Sequence, residues 1–215
     1  SSIKRIFGKD YKYIKNSNGF IYKDKKGILD LPKPNLLGDF QMSNISTAIH
    51  VARSLDQFKI TDSNIKSAVT KIRSEGRLQF IKKGKLRRCV SKNNQILIDG
   101  AHNVLAAEVV KKYLKNLKKH RKIIMILGMM KNKDHKEFIQ TFKNLVHSII
   151  ALDIPNQTNF IEKEKLSKIA KHCGLSSKTD ISIKAALKKS SQDNKNAIIF
   201  CTGSLYFVGE ILNLN

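Results

Sequence analysis

Residues 99–103, Asp-Gly-Ala-His-Asn, form the densest group of chemically useful side chains in this 215-residue chain. A short apolar run over 96–98 precedes them, and a helical pattern follows directly, so we expect a strand, a polar turn and the first turn of a helix. Such turns are where open α/β sheets bind ligands. Asp99 could accept ribose hydroxyls, and His102 could contact a phosphate or carboxylate beside the helix N-terminus. A structural alternative stands beside each role, because Asp99 could cap the helix and His102 could only pack.

Other polar positions follow neighbouring predicted strands, and in a doubly wound sheet they would share one crevice. Residues 128–134 follow one strand. Ser204 lies in a Thr-Gly-Ser turn that opens a predicted helix, where it could help to hold an anion or act as an N-cap. Arg77 could bind a phosphate with two hydrogen bonds or pair with an acid at a domain junction. The sequence therefore predicts one ligand site built from several loops.

The apolar pattern predicts the elements that must position these residues. Before residue 76, alternation over 3–30 predicts short antiparallel strands, and helical spacing predicts helices over 45–55 and 62–73. After residue 76 comes a hairpin-like segment with strands at 78–81, 86–90 and 95–98 and a turn at 93–94. Strands are then predicted at 96–98, 123–127, 149–152 and 197–200, and helices at 104–117, 135–146, 163–172, 182–190 and 204–213. This alternation predicts an α/β fold with a doubly wound, mostly parallel sheet, and a domain boundary near residue 76.

The net charge is +24, yet the composition argues against a nucleic-acid-binding protein. Only seven of the 41 basic residues are arginine, the main reader of bases, and no RNA- or DNA-binding motif is present. The three cysteines are far apart, which argues against a disulfide framework or a zinc site and favours a reducing cytoplasm. No apolar run is long enough to cross a membrane, and there is no P-loop motif.

Five motifs in order resemble the folylpolyglutamate synthase/dihydrofolate synthase family of the Mur ligase superfamily. They are Leu-Gly-Asp-Phe-Gln-Met-Ser-Asn at 37–44, Gly-Arg-Leu-Gln at 76–79, Asp-Gly-Ala-His-Asn at 99–103, Lys-Asn-Lys-Asp at 131–134, and Gly-Ser-Leu-Tyr-Phe-Val-Gly-Glu at 203–210. The middle motif is identical to the family's element. Phe40 stands where the family usually has His, and Gln79 where Glu is common.

The resemblance implies a Rossmann-like C-terminal domain of the Mur ligase type over 76–215, with residues 1–75 as the tail of an N-terminal ATPase domain whose P-loop part lies outside this chain. It implies ATP-dependent addition of L-glutamate to dihydropteroate or folate polyglutamate tails. By motif, Asn44, Arg77 and Asp99 would contact ATP, whereas His102 and Ser204 would hold glutamate, with His102 also placed in catalysis. Magnesium ligands are expected in the absent N-terminal region, so no metal ligand is assigned here.

Two other functions remain open at this point. A peptidoglycan-type Mur ligase would share the fold and use another amino acid. A non-catalytic basic module would bind polyanions with steep salt dependence and no preference for ATP. For the ligase we expect a cytoplasmic monomer whose partners are small molecules, without nucleic-acid or membrane binding, and no turnover by this chain alone.

Overall fold

The computed structural model describes residues 4–117 and 121–215 and divides the chain into two compact units, Ser1–Ser74 and Glu75–Asn215. Ile3, the first residue of the predicted N-terminal strand pattern, lies outside the described residues. No helix in the described ranges combines the length and the apolar character needed to cross a membrane.

The first unit packs a three-stranded antiparallel sheet against two helices. The strands are β1 (Tyr11–Lys15), β2 (Gly19–Asp24) and β3 (Gly27–Pro32), and the helices are α1 (Phe40–Ser54) and α2 (Asp62–Lys71). Alternate strand residues such as Phe20, Tyr22 and Leu31 are buried, which confirms the predicted alternation. A capping box explains where α2 begins, because Thr61 accepts the N–H of Asn64 and the Asn64 side chain accepts the N–H of Thr61.

The second unit contains a six-stranded sheet in the order β4-β5-β9-β6-β7-β8. Its strands are β4 (Gln79–Ile81), β5 (Gln95–Ile98), β6 (Lys122–Leu127), β7 (Ser148–Ala151), β8 (Ser177–Thr179) and β9 (Ala197–Thr202). Its helices are α3 (Val104–Leu117), α4 (His135–Thr141), α5 (Lys163–His172), α6 (Ile183–Asp193) and α7 (Leu205–Leu214). Strands β5 to β9 are parallel and only β4 is antiparallel, so the predicted mostly parallel α/β sheet is confirmed.

Helices cover both faces of this sheet. Side chains of α6 and α7, including Leu187 and Phe207, share one apolar cluster with Ile96 and Ile124 of the strands. On the other face, Phe142 at the end of α4 packs against Phe200 of β9, with ring centroids 6.0 Å apart. Strands covered on both faces explain why β6 and β9 are almost continuously apolar.

Three local predictions were wrong. The segment predicted as a strand at 86–90 is a short 3₁₀ turn, Arg87–Cys89. The guanidinium of Arg87 donates hydrogen bonds to the backbone carbonyls of residues 90, 91 and 92. Helix α4 ends at Thr141 rather than at 146, and Asn144 then adopts a φ of 67°. The polar strand β8 was missed, because its three half-buried residues carry no apolar signal.

Candidate functional site

The candidate site lies where β5, β9 and β6 end, at the same edge of the sheet. Hydrogen bonds join the three loops: Gly203 N–H donates to Ala101 O (3.0 Å), and Gly128 N–H donates to Thr202 O (3.2 Å). The Thr202 hydroxyl also donates to Ala101 O. Because the helix after β9 packs on one face and the helix after β6 on the other, this edge is a topological switch point, where such sheets bind ligands.

Asp99 is the first residue after β5, and it is 2% exposed. One carboxylate oxygen accepts the N–H of Ala101 (2.7 Å) and the other accepts the N–H of Leu78 (2.9 Å). Burial raises the pKa of this carboxyl, whereas the two N–H groups and the nearby charges of Arg77 and His102 act to lower it. Asp99 therefore fastens the loop after β5 to the segment before β4.

Asp99 does not cap α3, so the alternative prediction that it acts only as the N-cap of this helix is wrong. The side chain of Asn103 does so, accepting the N–H of Ala106 at 2.9 Å. A carboxylate has about four acceptor positions, and the two backbone groups use two of them. Asp99 thus keeps a lone pair on each oxygen for a second donor.

Arg77 stands beside Asp99 in a strained stretch of backbone. Gly76 has a φ of 69°, and Leu78, which is buried, has a φ of 44°, unusual for a residue with a side chain. Within the described residues the half-buried Arg77 guanidinium makes no hydrogen bond and no ion pair, so the predicted alternative of a salt bridge is absent there. Strain of this kind is typical of functional segments.

His102 is half-buried, and its ring Nδ1 lies 2.9 Å from the carbonyl oxygen of Gly100. A carbonyl can only accept, so Nδ1 carries the proton and Nε2 is an acceptor in the neutral ring. A Cβ at Gly100 would overlap the side chain of Leu205, which is exposed and would have to move.

Ser204 is buried and caps α7, because its hydroxyl oxygen accepts the N–H of Tyr206 at 3.1 Å. The proton of the Ser204 hydroxyl is not used in this bond and is available for donation to a ligand. Gly203 before it has a φ of 109°, and a Cβ there would lie 2.5 Å from the carbonyl oxygen of Gly128. Only glycine fits this close approach of two loops.

The structure brings Arg77, Asp99, His102 and Ser204 into the second unit, around the ends of β5 and β9. Asn44 lies in the first unit, exposed on α1, where its amide donates to the side chain of Gln41. Sequence reasoning missed the part played by Leu78, whose role rests on a backbone N–H that no side-chain pattern reveals. In the ranges 4–117 and 121–215 no group of three or more metal-ligating side chains is assembled.

An α/β domain with polar side chains gathered at the carboxyl ends of its parallel strands is thus the class of protein that the fold defines. A family model described as "Dihydrofolate synthetase, C-terminal domain" matches residues 82–214, more than half of the chain. The chain therefore belongs to the folylpolyglutamate synthase/dihydrofolate synthase family and corresponds to its C-terminal portion.

Individual relatives agree with this assignment. A dihydrofolate synthase/folylpolyglutamate synthase of Bacillus subtilis is 24% identical over 197 residues, which cover 89% of this chain and 43% of the relative. A structure of E. coli FolC in complex with DHPP and ADP is 20% identical and has a TM-score of 0.77, over 96% of this chain and 46% of the other. A bifunctional enzyme of the family, solved with Mn, AMPPNP and L-glutamate, has a TM-score of 0.76 at 19% identity, again over 96% and 46% of the two chains. The chain spans about half the length of these relatives.

Proposed function

We propose that this chain is the C-terminal portion of an ATP-dependent ligase that joins L-glutamate to dihydropteroate, to folate polyglutamate tails, or to both. The observation that carries the proposal is the backbone hydrogen bond from Gly203 to Ala101, which joins the loop of Asp99 and His102 to the loop of Ser204 in a member of this family. The ligands of two relatives, ADP with DHPP in one and AMPPNP with L-glutamate in the other, support it.

In the proposed site, Arg77 and Asp99 contact ATP. Within the described residues the Arg77 guanidinium makes no hydrogen bond or ion pair, and it is suited to two hydrogen bonds with a phosphate. Asp99 would use its remaining lone pairs for the ribose hydroxyls. Asn44, on α1 of the first unit, would lie near the base.

His102 and Ser204 would hold the incoming L-glutamate. The N-terminal end of α7 and the Ser204 hydroxyl offer donors to a carboxylate. His102, oriented through Nδ1 by the carbonyl of Gly100, could accept a proton from the glutamate ammonium group at Nε2. The amine must lose that proton before it can attack.

The proposed reaction has two steps. The acceptor carboxylate attacks the γ-phosphorus of ATP, the bond to the β-phosphate oxygen breaks, and ADP leaves with an acyl phosphate formed. The neutral amine of glutamate then attacks the acyl carbon, and inorganic phosphate leaves as the amide bond forms. Positioning and exclusion of water are what a protein contributes to such a sequence.

We propose that the enzyme uses ATP as its nucleotide, together with Mg²⁺. The residues described here assemble no metal site, so magnesium ligands are proposed to come from the N-terminal region that the longer relatives carry. We also propose that the protein works as a cytoplasmic monomer on small molecules, without binding nucleic acid or membrane.

We propose further that this chain alone does not turn over. Its 215 residues contain no P-loop motif, and its relatives are about twice as long. The deciding experiment measures ADP release by the product of the complete gene and by this chain, with L-glutamate and either dihydropteroate or tetrahydrofolate. If the complete protein releases ADP only when an acceptor is present and this chain releases none, both proposals are supported and the acceptor is identified. Turnover by this chain would contradict the proposal that it is inactive by itself.

The two alternatives give different results in the same assay. A peptidoglycan-type ligase would release ADP with another amino acid and not with L-glutamate. A basic binding module would release none, and its binding to polyanions would fall steeply with salt and show no preference for ATP.

A further inference from the structure

The first unit contains a second feature of chemical interest, a cavity of about 380 Å³ beside the start of β1 and the end of β2. Tyr11, Asp24 and His50 form its buried wall. Its exposed surround is basic and consists of Arg5, Lys9, Lys12, Lys23 and Lys25. The volume lies in the range of small-molecule sites.

A chain of hydrogen bonds orients His50 in this wall. The Tyr22 hydroxyl donates to Asp24 at 3.0 Å, and His50 Nδ1 lies 3.1 Å from the same hydroxyl oxygen. Since the single tyrosine proton goes to the carboxylate, Nδ1–H must donate to the tyrosine oxygen. The imidazole also stacks on Tyr11, with centroids 4.4 Å apart and an interplanar angle of 11°. The ring is therefore held by a hydrogen bond at Nδ1 and by stacking on one face.

The other nitrogen of His50 is unsatisfied. Nε2 is buried, the side chain is only 7% exposed, and no partner for this atom exists within the described part of the chain. A buried polar atom without a partner destabilises the fold. A ligand that forms a hydrogen bond with Nε2 would remove this destabilisation.

The charges around the cavity are unbalanced in favour of an anion. Its two acids already have partners, Asp10 with Arg5 and Asp24 with Arg53. Among the described residues its four lysines form no side-chain hydrogen bond or ion pair. Lys12 and Lys23 stand directly opposite each other in the β1–β2 register. Like charges placed opposite each other are destabilising, and an anion nearby would relieve them.

We propose that this cavity binds the phosphate group of a small phosphate ester, with His50 at its base and Lys9 and Lys25 at its entrance. Lysine is a point charge that suits a tetrahedral phosphate, and the Nε2–H of a protonated His50 adds a directed donor. The cavity exceeds the volume of phosphate alone, which favours an ester. The proposal uses the first unit only and does not depend on the proposed ligase activity.

Binding should be coupled to protonation of His50. The titratable and charged groups that face the ring are Asp24 and Tyr22 of β2, Tyr11 of β1 and Arg53 of α1. Burial, and then the charge of Asp24, raises the pKa of the Tyr22 hydroxyl, which keeps this group neutral. An anion at Nε2 favours the imidazolium, so binding takes up a proton and becomes tighter as the pH falls.

The first test is calorimetry on the whole chain at about 150 mM NaCl, a concentration that screens diffuse surface charge, with inorganic phosphate and ribose 5-phosphate as probes. We expect the pair Lys9→Ala/Lys25→Ala to weaken binding about tenfold or more. The matched pair Lys59→Ala/Lys66→Ala removes the same charge from exposed positions of the same unit and should change binding less than about twofold. Equal losses in both pairs, or no binding by the unmodified chain, would overturn the proposal. Tighter binding of ribose 5-phosphate supports an ester, and equal binding of the two probes overturns that part.

The second test uses sulfate, a tetrahedral dianion that does not titrate near neutral pH. The affinity of sulfate should rise about tenfold between pH 8 and pH 6 in the unmodified chain and stay level in His50→Gln, whose side chain has no group that titrates. In NMR spectra, the histidine resonance that is absent from His50→Gln identifies His50, and in the unmodified chain this resonance should shift when sulfate is added. A pH dependence that survives in His50→Gln, or a His50 resonance that does not move, would contradict the proposal.

Discussion

At the residue scale, the Asp99 carboxylate fastens two backbone segments, and we propose that it also binds the ribose of ATP. The sequence predicts the binding duty from the residue's place after a strand. It does not predict the contact with Leu78, 21 positions away, because that contact depends on an unusual backbone angle at Leu78. The alternative that Asp99 caps α3 was wrong because Asn103, closer to the helix, takes that role.

The pKa of Asp99 predicts how stability changes with pH. Burial raises this pKa above its ordinary value of 3.8, so the native chain holds the proton more tightly than the unfolded chain. The stabilising contribution is therefore complete below pH 3.8 and declines as the pH rises through the folded-state pKa. The stability of the unmodified chain relative to Asp99→Asn, which cannot titrate, should fall as pH rises in the acid range. Hydrogen exchange of the β5 amides in both chains at several pH values measures this difference in stability. If the difference increases with pH instead, the two backbone donors lower the pKa of Asp99 more than burial raises it.

His102 is the residue whose removal should affect the proposed chemistry most directly. In the complete enzyme, His102→Ala should lower kcat/KM for L-glutamate about 100-fold or more, because a positioned proton acceptor is lost. The half-buried ring is not part of the apolar core, so the fold should persist. His147→Ala, at an exposed histidine of the same unit, serves as the control. Steady-state kinetics in which both variants behave alike would remove His102 from the mechanism.

At the scale of elements, the capping box of α2 is a local feature with a measurable effect. Thr61→Ala should lower the free energy of unfolding of the first unit by about 1 kcal/mol, because the N–H of Asn64 loses its partner. Thr70→Ala, in the last turns of the same helix, should have little effect or stabilise slightly, since alanine is the better helix former. Urea denaturation of the two variants compares them, and equal losses would mean that the cap contributes nothing.

The loop between β9 and α7 is the element least tolerant of a side chain. Gly203→Ala should destabilise the second unit by about 2 kcal/mol or more, because a Cβ would meet Gly128 O, Leu127 and Met129 at a φ of 109°. Gly209→Ala, inside α7 with open space around it, should instead stabilise by about 0.5–1 kcal/mol. Thermal unfolding distinguishes the two, and a neutral Gly203→Ala would show that the loops can separate.

Elements with a regular apolar period could be predicted from the sequence, whereas elements held by contacts with distant residues could not. The pattern over 104–117 and 163–172 is periodic, and α3 and α5 have those bounds. The 3₁₀ turn was mistaken for a strand because Leu86 is held by the side chain of Asn215, 129 positions away. Strand β8 forms because β7 offers a free edge, a cause that lies outside its own residues.

At the scale of the whole molecule, the chain divides into two compact units with separate apolar cores. We expect them to open as separate cooperative units. Thr61→Ala should reduce hydrogen-exchange protection only within residues 4–74, and Gly203→Ala only within the described residues of 75–215. Mass-resolved exchange on the two variants checks this, and a loss of protection that spreads through both units in either variant would show that they are energetically coupled.

The position of β9 has a consequence for how the protein is made. This strand is formed by residues 197–202, near the end of the chain, yet it lies between β5 and β6 in the middle of the sheet. During synthesis, β5 and β6 therefore leave the ribosome long before the strand that joins them. Until then each has an unpaired apolar edge, the kind of surface that aggregates or recruits chaperones. A messenger truncated before the codon for Ala197 would yield a polypeptide that quality control must remove, because no central strand would pair its two half-sheets.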